Sequence, residues 1–319
     1  MVVLVTGGAG YVGSALVRQL LRDSIETGAR VRVLDNMFRE TYVALSELVR
    51  DSRVEFMEGD VRNADDLRRA SKDVETVFHL AAITNAPLSF EKKELTRQVN
   101  HVGTRNVVAQ ALKSSIRKVV YVSTASVYGP TEGVVTEESK CRPESPYGKY
   151  KLMGEKECLS AFRRYGLNTV VLRLATVYGF SRGWRAQGIV VNRLTYLACT
   201  RNPVTVYGTG DQKRPFIDLR DAVRALTFAS EHPETAERIY NVVGQNASVN
   251  DVVDTIRRIL PETEVVKVKG SKHLEELSYM LDDSKIRRIG FQTSYTLEDG
   301  VKQIIEEFLG SKTPCGKVR

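Results

Sequence analysis

Along this chain, short β-branched apolar runs alternate with stretches whose apolar residues recur at helical spacing, which predicts an α/β protein built on a parallel sheet. Strands are read at residues 2–5, 31–34, 54–57, 76–80, 118–122 and 239–243, and residues 174–179 end a further one. Helices are read at 42–50, 190–200, 223–230, 249–260 and 297–309, and one opened by the 143–151 segment runs to 165. A long helix over 91–113 carries Leu95, Val99, Val102, Ala109 and Leu112 on one stripe. The tail 311–319 is polar and reads as frayed. No repeat, low-complexity tract or Pro/Ser-rich linker interrupts the pattern, so two intimate lobes are expected, with the chain crossing between them more than once.

Gly7, Gly10 and Gly13 stand where the first strand turns into a helix marked by Val12, Leu16 and Leu20. Glycines at that turn permit the backbone angles, let the chain approach a pyrophosphate, and let helix pack closely on strand. The pyrophosphate then meets the N–H groups and positive end of the helix. The second strand ends in Asp35, where such units place the acid that binds adenosine ribose hydroxyls. These features predict a Rossmann-type doubly wound sheet that binds a dinucleotide. Asp35 repels the extra phosphate of NADP and favours NAD, although Arg32 and Arg39 leave room for NADP.

Parallel strand ends face the cofactor, which places Asp60 and Val61 at the adenine. Asp60 also reads as the cap of a helix from Asn63. Ala81 and Ala82 are small enough for a cofactor to lie against their backbone, and His79 before them reads as a core or hydrogen-bonding residue. Asn100, polar within the long helix, is either exposed or holds backbone near the site. Hydroxyls at Ser123, Thr124 and Ser126 end the fifth strand, where they can hydrogen-bond a substrate. Tyr147 and Lys151, four residues apart, share a helix face.

Composition narrows the class. With 319 residues, 42% hydrophobic and 27% charged, the chain can bury a sizeable core and is not a disordered one. The 47 basic side chains outnumber 39 acidic ones, a net charge of +8 spread along the chain that suits anionic small molecules. No basic run interleaved with aromatics points to nucleic acid. Cys141, Cys158, Cys199 and Cys315 form no CxxC pair and read as reduced thiols; no metal-ligand spacing is present. A basic leader region is absent, and no apolar run approaches the roughly 18 residues of a membrane span, so a cytoplasmic protein is expected.

Taken in order, several strings resemble the extended short-chain dehydrogenase/reductase family, which holds the nucleotide-sugar epimerases and dehydratases. They are the stretch from Thr6 to Gly13, Asp35-Asn36, Gly59-Asp60-Val61, His79-Leu80-Ala81-Ala82 and Asn100-His101-Val102-Gly103-Thr104, then Ser123-Thr124, Val127-Tyr128-Gly129, Tyr147-x-x-x-Lys151, Leu172-Arg173 and Val177-Tyr178-Gly179. The resemblance implies NAD, tightly held and not consumed, on Gly7, Gly10, Tyr11, Val12, Gly13, Asp35, Asn36, Asp60, Val61, Leu80, Ala81, Ala82, Asn100, Val122, Tyr147 and Lys151. It implies a catalytic trio of Thr124, Tyr147 and Lys151. A nucleotide-diphosphate sugar would meet Thr124, Ser126, Thr176, Arg185, Tyr207 and Arg214, the last on the diphosphate. A smaller, discontinuous α/β lobe for substrate is also implied by the resemblance; the expected division is 1–179 with 217–245 for the cofactor, and 180–216 with 246–319 for the substrate. A homodimer through the helices at 91–113 and 147–165 is implied as well.

A tyrosine titrates near 10, so the neighbouring Lys151 ammonium and a positive nicotinamide would be needed for Tyr147 to serve as base near neutral pH. The family's dehydratases carry Asp-Glu after the threonine; here Ala125-Ser126 stands there and can act as neither acid nor base for loss of water. That favours a 4-epimerase, most simply of UDP-glucose and UDP-galactose, over a dehydratase or an NADPH-dependent ketosugar reductase. A non-catalytic NAD-binding regulator is the alternative from another class. Thr176, where many hexose epimerases carry Asn, resembles the uronate 4-epimerases, and Arg182 and Arg185 could meet a carboxylate. Leu277 stands where a second phosphate-binding arginine is common.

Overall fold

Val3, Leu4 and Val5 are sealed from solvent because their strand, β1 (Val2–Thr6), lies inside a seven-stranded sheet. The computed structural model describes residues 2–23, 28–39, 42–84, 86–182, 188–233, 238–269 and 278–310. In spatial order the sheet runs β11 (Arg238–Val242), β7 (Asn168–Leu174), β5 (Lys118–Thr124), β4 (Val74–His79), β1, β2 (Arg30–Asp35), β3 (Val54–Glu58), and every neighbouring pair is parallel. The chain builds outward from β1 to β3 and then returns to β1's other side at β4. The crevice beyond the carboxyl ends of β1 and β4 is therefore the switch point at which doubly wound sheets bind ligands.

Burying both faces requires helices on each. Leu16, Val17 and Leu21 of α1 (Tyr11–Asp23) and Ala222 to Ala229 of α8 (Leu219–Glu231) pack on one. Leu67 of α2 (Ala64–Ala70), Val107 and Val108 of α5 (Thr104–Ala111), and Cys158 and Ala161 of α6 (Pro146–Tyr165) pack on the other. A separate core gathers α7 (Val190–Cys199), α9 (Val249–Ile259) and the helix Leu297–Gly310 around β9 (Val204–Tyr207) and Phe216 of β10 (Lys213–Asp218). Three small sheets complete this side: β8 (Thr176–Tyr178) with β10 and β12 (Gln245–Ser248), β9 with β13 (Val265–Val268), and β6 (Gly133–Val135) with β14 (Tyr279–Leu281). Among the described residues no helix is long and apolar enough to cross a membrane, and no three candidate metal ligands cluster.

Three local readings are corrected. The long helix at 91–113 is preceded by a separate turn of helix, α3 (Ala86–Glu91), and its own course runs from α4 (Lys93–Arg97) through a π-turn (Gln98–Gly103) into α5. The wider turn shifts the helix phase: Val99 is buried, but beyond it the buried large apolar side chains are Val107 and Val108, with Ala111, whereas Ala109 and Leu112 face solvent. Residues 42–48 form a 3₁₀ helix in place of an α-helix. Asp60 does not cap α2; Asn63 does, its side chain accepting from Asp65 N at 2.9 Å.

His79 is buried at the end of β4, its Nδ1 2.7 Å from Thr6 Oγ1 and its Nε2 2.9 Å from Thr104 Oγ1. Burial, helped by the Lys151 charge, pushes its pKa down from 6.5 to about 3. Between those values the unfolded chain takes up a proton that native His79 refuses, so this group's contribution to stability is full above 6.5 and is lost as pH falls toward 3. His79→Gln should therefore show a shallower fall in Tm than wild type between pH 6.5 and 5; parallel Tm profiles would refute the assignment.

Candidate active site

The carboxyl ends of β1, β4 and β5 open into a cleft of ≈ 420 Å³. Its floor is set by backbone contact. Gly7 has φ +73°, and a Cβ there would come within 2.6 Å of Ala81 N, while a Cβ on Gly13 would overlap the Gly7 carbonyl. A side chain at Gly7 would push the turn off the backbone that follows β4, and one at Gly13 would push α1 off the turn, and either would disrupt the cradle a pyrophosphate needs. Asp35 ends β2 inside this cleft and accepts from Ala9 N and Met37 N, both at 3.0 Å. Burial, with Asp60 nearby, raises its pKa. Asp60 is held by Arg62 (2.9 and 2.7 Å) and Asn36 (2.8 Å), and its pKa lies below the ordinary value because those hydrogen bonds outweigh its burial.

Opposite this acidic end, the cleft is lined by hydroxyls. Ser145 caps α6 by accepting from Gly148 N at 3.1 Å, Pro146 begins the helix, and Tyr147 and Lys151 then project from one face toward the end of β5. Tyr147 N donates to Ser89 Oγ at 3.1 Å, which pins the first turn. Burial raises the Tyr147 pKa and a hydrogen bond with Thr124 opposes it. Lys151 Nζ donates to Val122 O at 2.6 Å and lies 4.7 Å from the Tyr121 ring centre, and burial lowers its pKa to about 7. The Lys151 ammonium thus donates to strand β5, and Thr124 is the side chain hydrogen-bonded to Tyr147. Thr124 Oγ1 accepts from Ser126 N at 3.1 Å and donates to Ser126 Oγ at 3.2 Å, so a 3₁₀ turn (Ala125–Val127) presents both hydroxyls together.

Gly7, Gly10, Tyr11, Val12, Gly13, Asp35, Asn36, Asp60, Val61, Leu80, Ala81, Ala82, Val122, Thr124, Ser126, Tyr147, Lys151 and Thr176 all line this cleft. Asn100 lies behind its wall, buried in the π-turn, where it accepts from Ile83 N at 2.8 Å and donates to Ile83 O at 2.9 Å. Of the two routes left open for it, it takes the second. Tyr207 is not brought to the cleft but stands exposed at the end of β9. Arg214 sits on β10, half-buried near Tyr279, a residue that does line the cleft; its Nη1 donates to Lys213 O at 3.2 Å. Arg182 is 63% exposed and lies 3.9 Å from Glu47. Arg185 and Leu277 lie outside the described residues, as do Cys315 and the tail.

Arg32 is corrected: it faces away from the cleft and is consumed by Glu55 (2.8 Å), Ala70 O (2.8 Å) and Lys72 O (2.6 Å), whereas Arg39 does line the cleft. Phe38, Arg62 and Ile83, close in sequence to predicted strand-end residues, also line the cleft, as do Ile189 and Tyr279, which long-range packing brings there without a sequence signal of their own. Glycine cradle, ribose-level acid and hydroxyl-lined far end together fit a dinucleotide such as NAD with a sugar beyond it.

The comparisons agree with that geometry. Over 95% of this chain and 97% of its own length, the putative UDP-glucose 4-epimerase of Methanocaldococcus jannaschii is 29% identical. An uncharacterised UDP-glucose epimerase of Bacillus subtilis is 30% identical over 94% of this chain and 96% of its own. The crystal structure of the Bacillus cereus UDP-glucuronic acid 4-epimerase, in complex with UDP-glucuronic acid and NAD, superposes with a TM-score of 0.86 at 26% identity, covering 97% of this chain and 99% of that one. Residues 3–243 match the NAD dependent epimerase/dehydratase family as a whole, and with the cleft and its glycine cradle in place, the chain belongs to that family.

Proposed function

We propose that this protein is an NAD-dependent nucleotide-diphosphate-sugar 4-epimerase acting on UDP-glucose and UDP-galactose. One observation carries the choice within the family: the acidic residues lining the cleft are Asp35 and Asp60, both at its dinucleotide end, and the turn after Thr124 offers only Ala125 and Ser126. Eliminating water needs an acid for the leaving hydroxyl and a base for the neighbouring carbon. No carboxylate among the described cleft residues is placed to serve as either, so inversion at one carbon is the reaction this set of groups supports.

Gly7, Gly10 and Gly13 would hold the pyrophosphate of NAD, Asp35 and Asn36 its adenosine ribose, Asp60 and Val61 its adenine, and Tyr147 and Lys151 its nicotinamide end. When bound, NAD supplies a reversible hydride acceptor. Tyr147 Oη takes the proton of the sugar 4-hydroxyl, and Thr124 Oγ1 hydrogen-bonds the same oxygen and orients it. After the 4-ketose presents its other face, Tyr147 Oη returns the proton. Burial keeps Tyr147 protonated at rest, so its phenolate, which the hydrogen bond with Thr124 favours, forms by loss of that proton before the sugar hydroxyl is deprotonated. Arg214 would reach the diphosphate, as a guanidinium fork suits phosphate oxygens. A uronate substrate is the second reading, favoured by Thr176 in the cleft and by the likeness to the Bacillus cereus enzyme. By the same family reasoning the chain is a cytoplasmic homodimer.

Two outcomes follow from these groups. Tyr147→Phe should lower kcat by about 10²–10⁴-fold while NAD binding persists, with epimer formation from UDP-glucose, UDP-galactose and UDP-glucuronic acid followed by NMR without added reductant. Full activity of this variant would refute the mechanism, a product lacking water would make the protein a dehydratase, and turnover only with added NADPH would make it a reductase.

Lys151 titrates at about 7 when folded against 10.5 ordinarily, so the unfolded chain binds the extra proton between those values, and wild-type stability rises with pH through that window. The Tm of Lys151→Met relative to wild type should accordingly be most favourable at or below pH 7 and decline toward pH 10.5; a pH-independent difference would place Lys151 near its ordinary value.

A further inference from the structure

Glu155 and Arg173 are 1% and 3% exposed and meet in a two-point ion pair, Arg173 Nε to Glu155 Oε1 at 3.0 Å and Nη2 to Oε2 at 2.8 Å. Taking two charges out of water costs several kcal/mol per ion, and an apolar pair of similar volume generally stabilises a core as well or better. Stability therefore does not explain the pair, but its other contacts do. Ser123 Oγ donates to Glu155 Oε1 at 2.5 Å. Arg173 Nη1 donates to Tyr128 Oη at 3.0 Å, the guanidinium lies 4.9 Å from the Tyr128 ring centre, and Tyr128 Oη donates to Asn241 Oδ1 at 2.6 Å. Asn241 is anchored in turn, its N–H donating to Glu137 Oε1 at 2.7 Å and its Nδ2 to Asp282 O at 3.0 Å.

Ser123 and Tyr128 bracket the turn that carries Thr124 and Ser126. On α6, Glu155 extends the Tyr147–Lys151 face by one more turn, so the helix that bears the base also grips the strand that bears the threonine: Lys151 holds Val122 O and Glu155 holds Ser123 Oγ. Arg173 faces Ser123 across the β5–β7 ladder and closes the bracket through Tyr128. Neither member of the pair lines the cleft.

We propose that the buried Glu155–Arg173 pair is a positioning element for the reaction, clamping residues 123–128 at both ends so that Thr124 Oγ1 and Ser126 Oγ are fixed relative to Tyr147. The proposal rests on the epimerase reading above. Ser123→Ala and Tyr128→Phe each remove one oxygen at opposite ends of the clamp and leave the ion pair itself intact, which avoids stranding a buried charge. The test uses the full-length protein labelled at threonine methyls, with the Thr124 resonance assigned from Thr124→Ser. Both variants should lower the Thr124 methyl order parameter and reduce kcat by about tenfold with KM little changed, and Ser123→Thr, which keeps the hydroxyl, should restore both. A purely structural pair would lower Tm and leave the methyl and kcat as in wild type, and that result overturns the proposal, as does a changed methyl with unchanged kcat. If wild type converts none of the sugar nucleotides, the epimerase reading fails separately, and the methyl measurement still decides whether the clamp holds the turn.

Discussion

The arrangement of the whole cleft depends on one close approach, the turn after β1 lying directly against the backbone that follows β4. Gly7 and Ala81 meet there with no room for a Cβ on the glycine. Because β1 and β4 are neighbours in a fully parallel sheet, their carboxyl ends point the same way, and the distance between the turn and Ala81 sets the width of the crevice at the switch point. Everything downstream follows from that spacing: α1 begins close enough to offer its first turn to an anion, Ala82 and Ile83 form a wall of backbone, and Asn100 holds that wall in place through both polar atoms of the Ile83 peptide. The π-turn gives Asn100 its inward direction. A regular helix would keep the long stripe from Leu95 to Leu112 in phase, and the extra residue per turn is what lets one polar side chain face the site while the apolar face beyond it is re-aimed at the sheet.

The cleft is chemically divided along its length. At the β2 end, Asp35 and Asp60 confront each other, and their opposite pKa displacements reflect what each touches: Asp60 has a guanidinium and an amide, Asp35 only backbone N–H groups and a deeper burial. At the β5 end the groups are neutral hydroxyls and one lysine whose burial brings it near neutrality at physiological pH. A reaction that creates and destroys charge at a single oxygen suits this second environment, since donors fixed in a low-dielectric pocket act more strongly than they would in water.

The parts legible in the sequence were those set by local pattern. The glycine triplet, Asp35, the strand-end residues and the Tyr147–Lys151 spacing are each local, and a parallel sheet brings strand ends together wherever the strands are correctly read. Illegible were the features decided by long-range contact. Nothing in Gln245-Asn246-Ala247-Ser248 looks like a strand, yet β10 recruits it antiparallel. Arg32 reads as a neighbour of the ribose site by proximity in sequence, but the alternation of a strand sends it to the opposite side, where Glu55 and two carbonyls take it. Tyr207 and Arg214 lie on β9 and β10, strands that join the separate core of α7 and α9, and no periodicity specifies where that core sits against the sheet. The cap of α2 fell to Asn63 in place of Asp60 because the helix begins at Ala64, which leaves Asp60 too far upstream to reach its first N–H groups.

Tyr147 and Lys151 are displaced in opposite senses by the same cause, burial: Tyr147 is held neutral, while Lys151, at about 7, is balanced between its two forms near neutral pH. Catalysis by a phenolate in such a place demands a counter-charge that arrives with the reactants or is released within the protein. Lys151, with a pKa of about 7 and a hydrogen bond to Val122 O, can hold or give up its proton near neutral pH, and only its protonated form carries a counter-charge. The strand it grips also carries Thr124 two residues on, so the positions of Lys151 and Thr124 are tied through β5. The same helix carries Tyr147, Lys151 and Glu155 at successive four-residue intervals, and in the proposed reaction the rigidity of one α-helix couples proton placement to substrate placement.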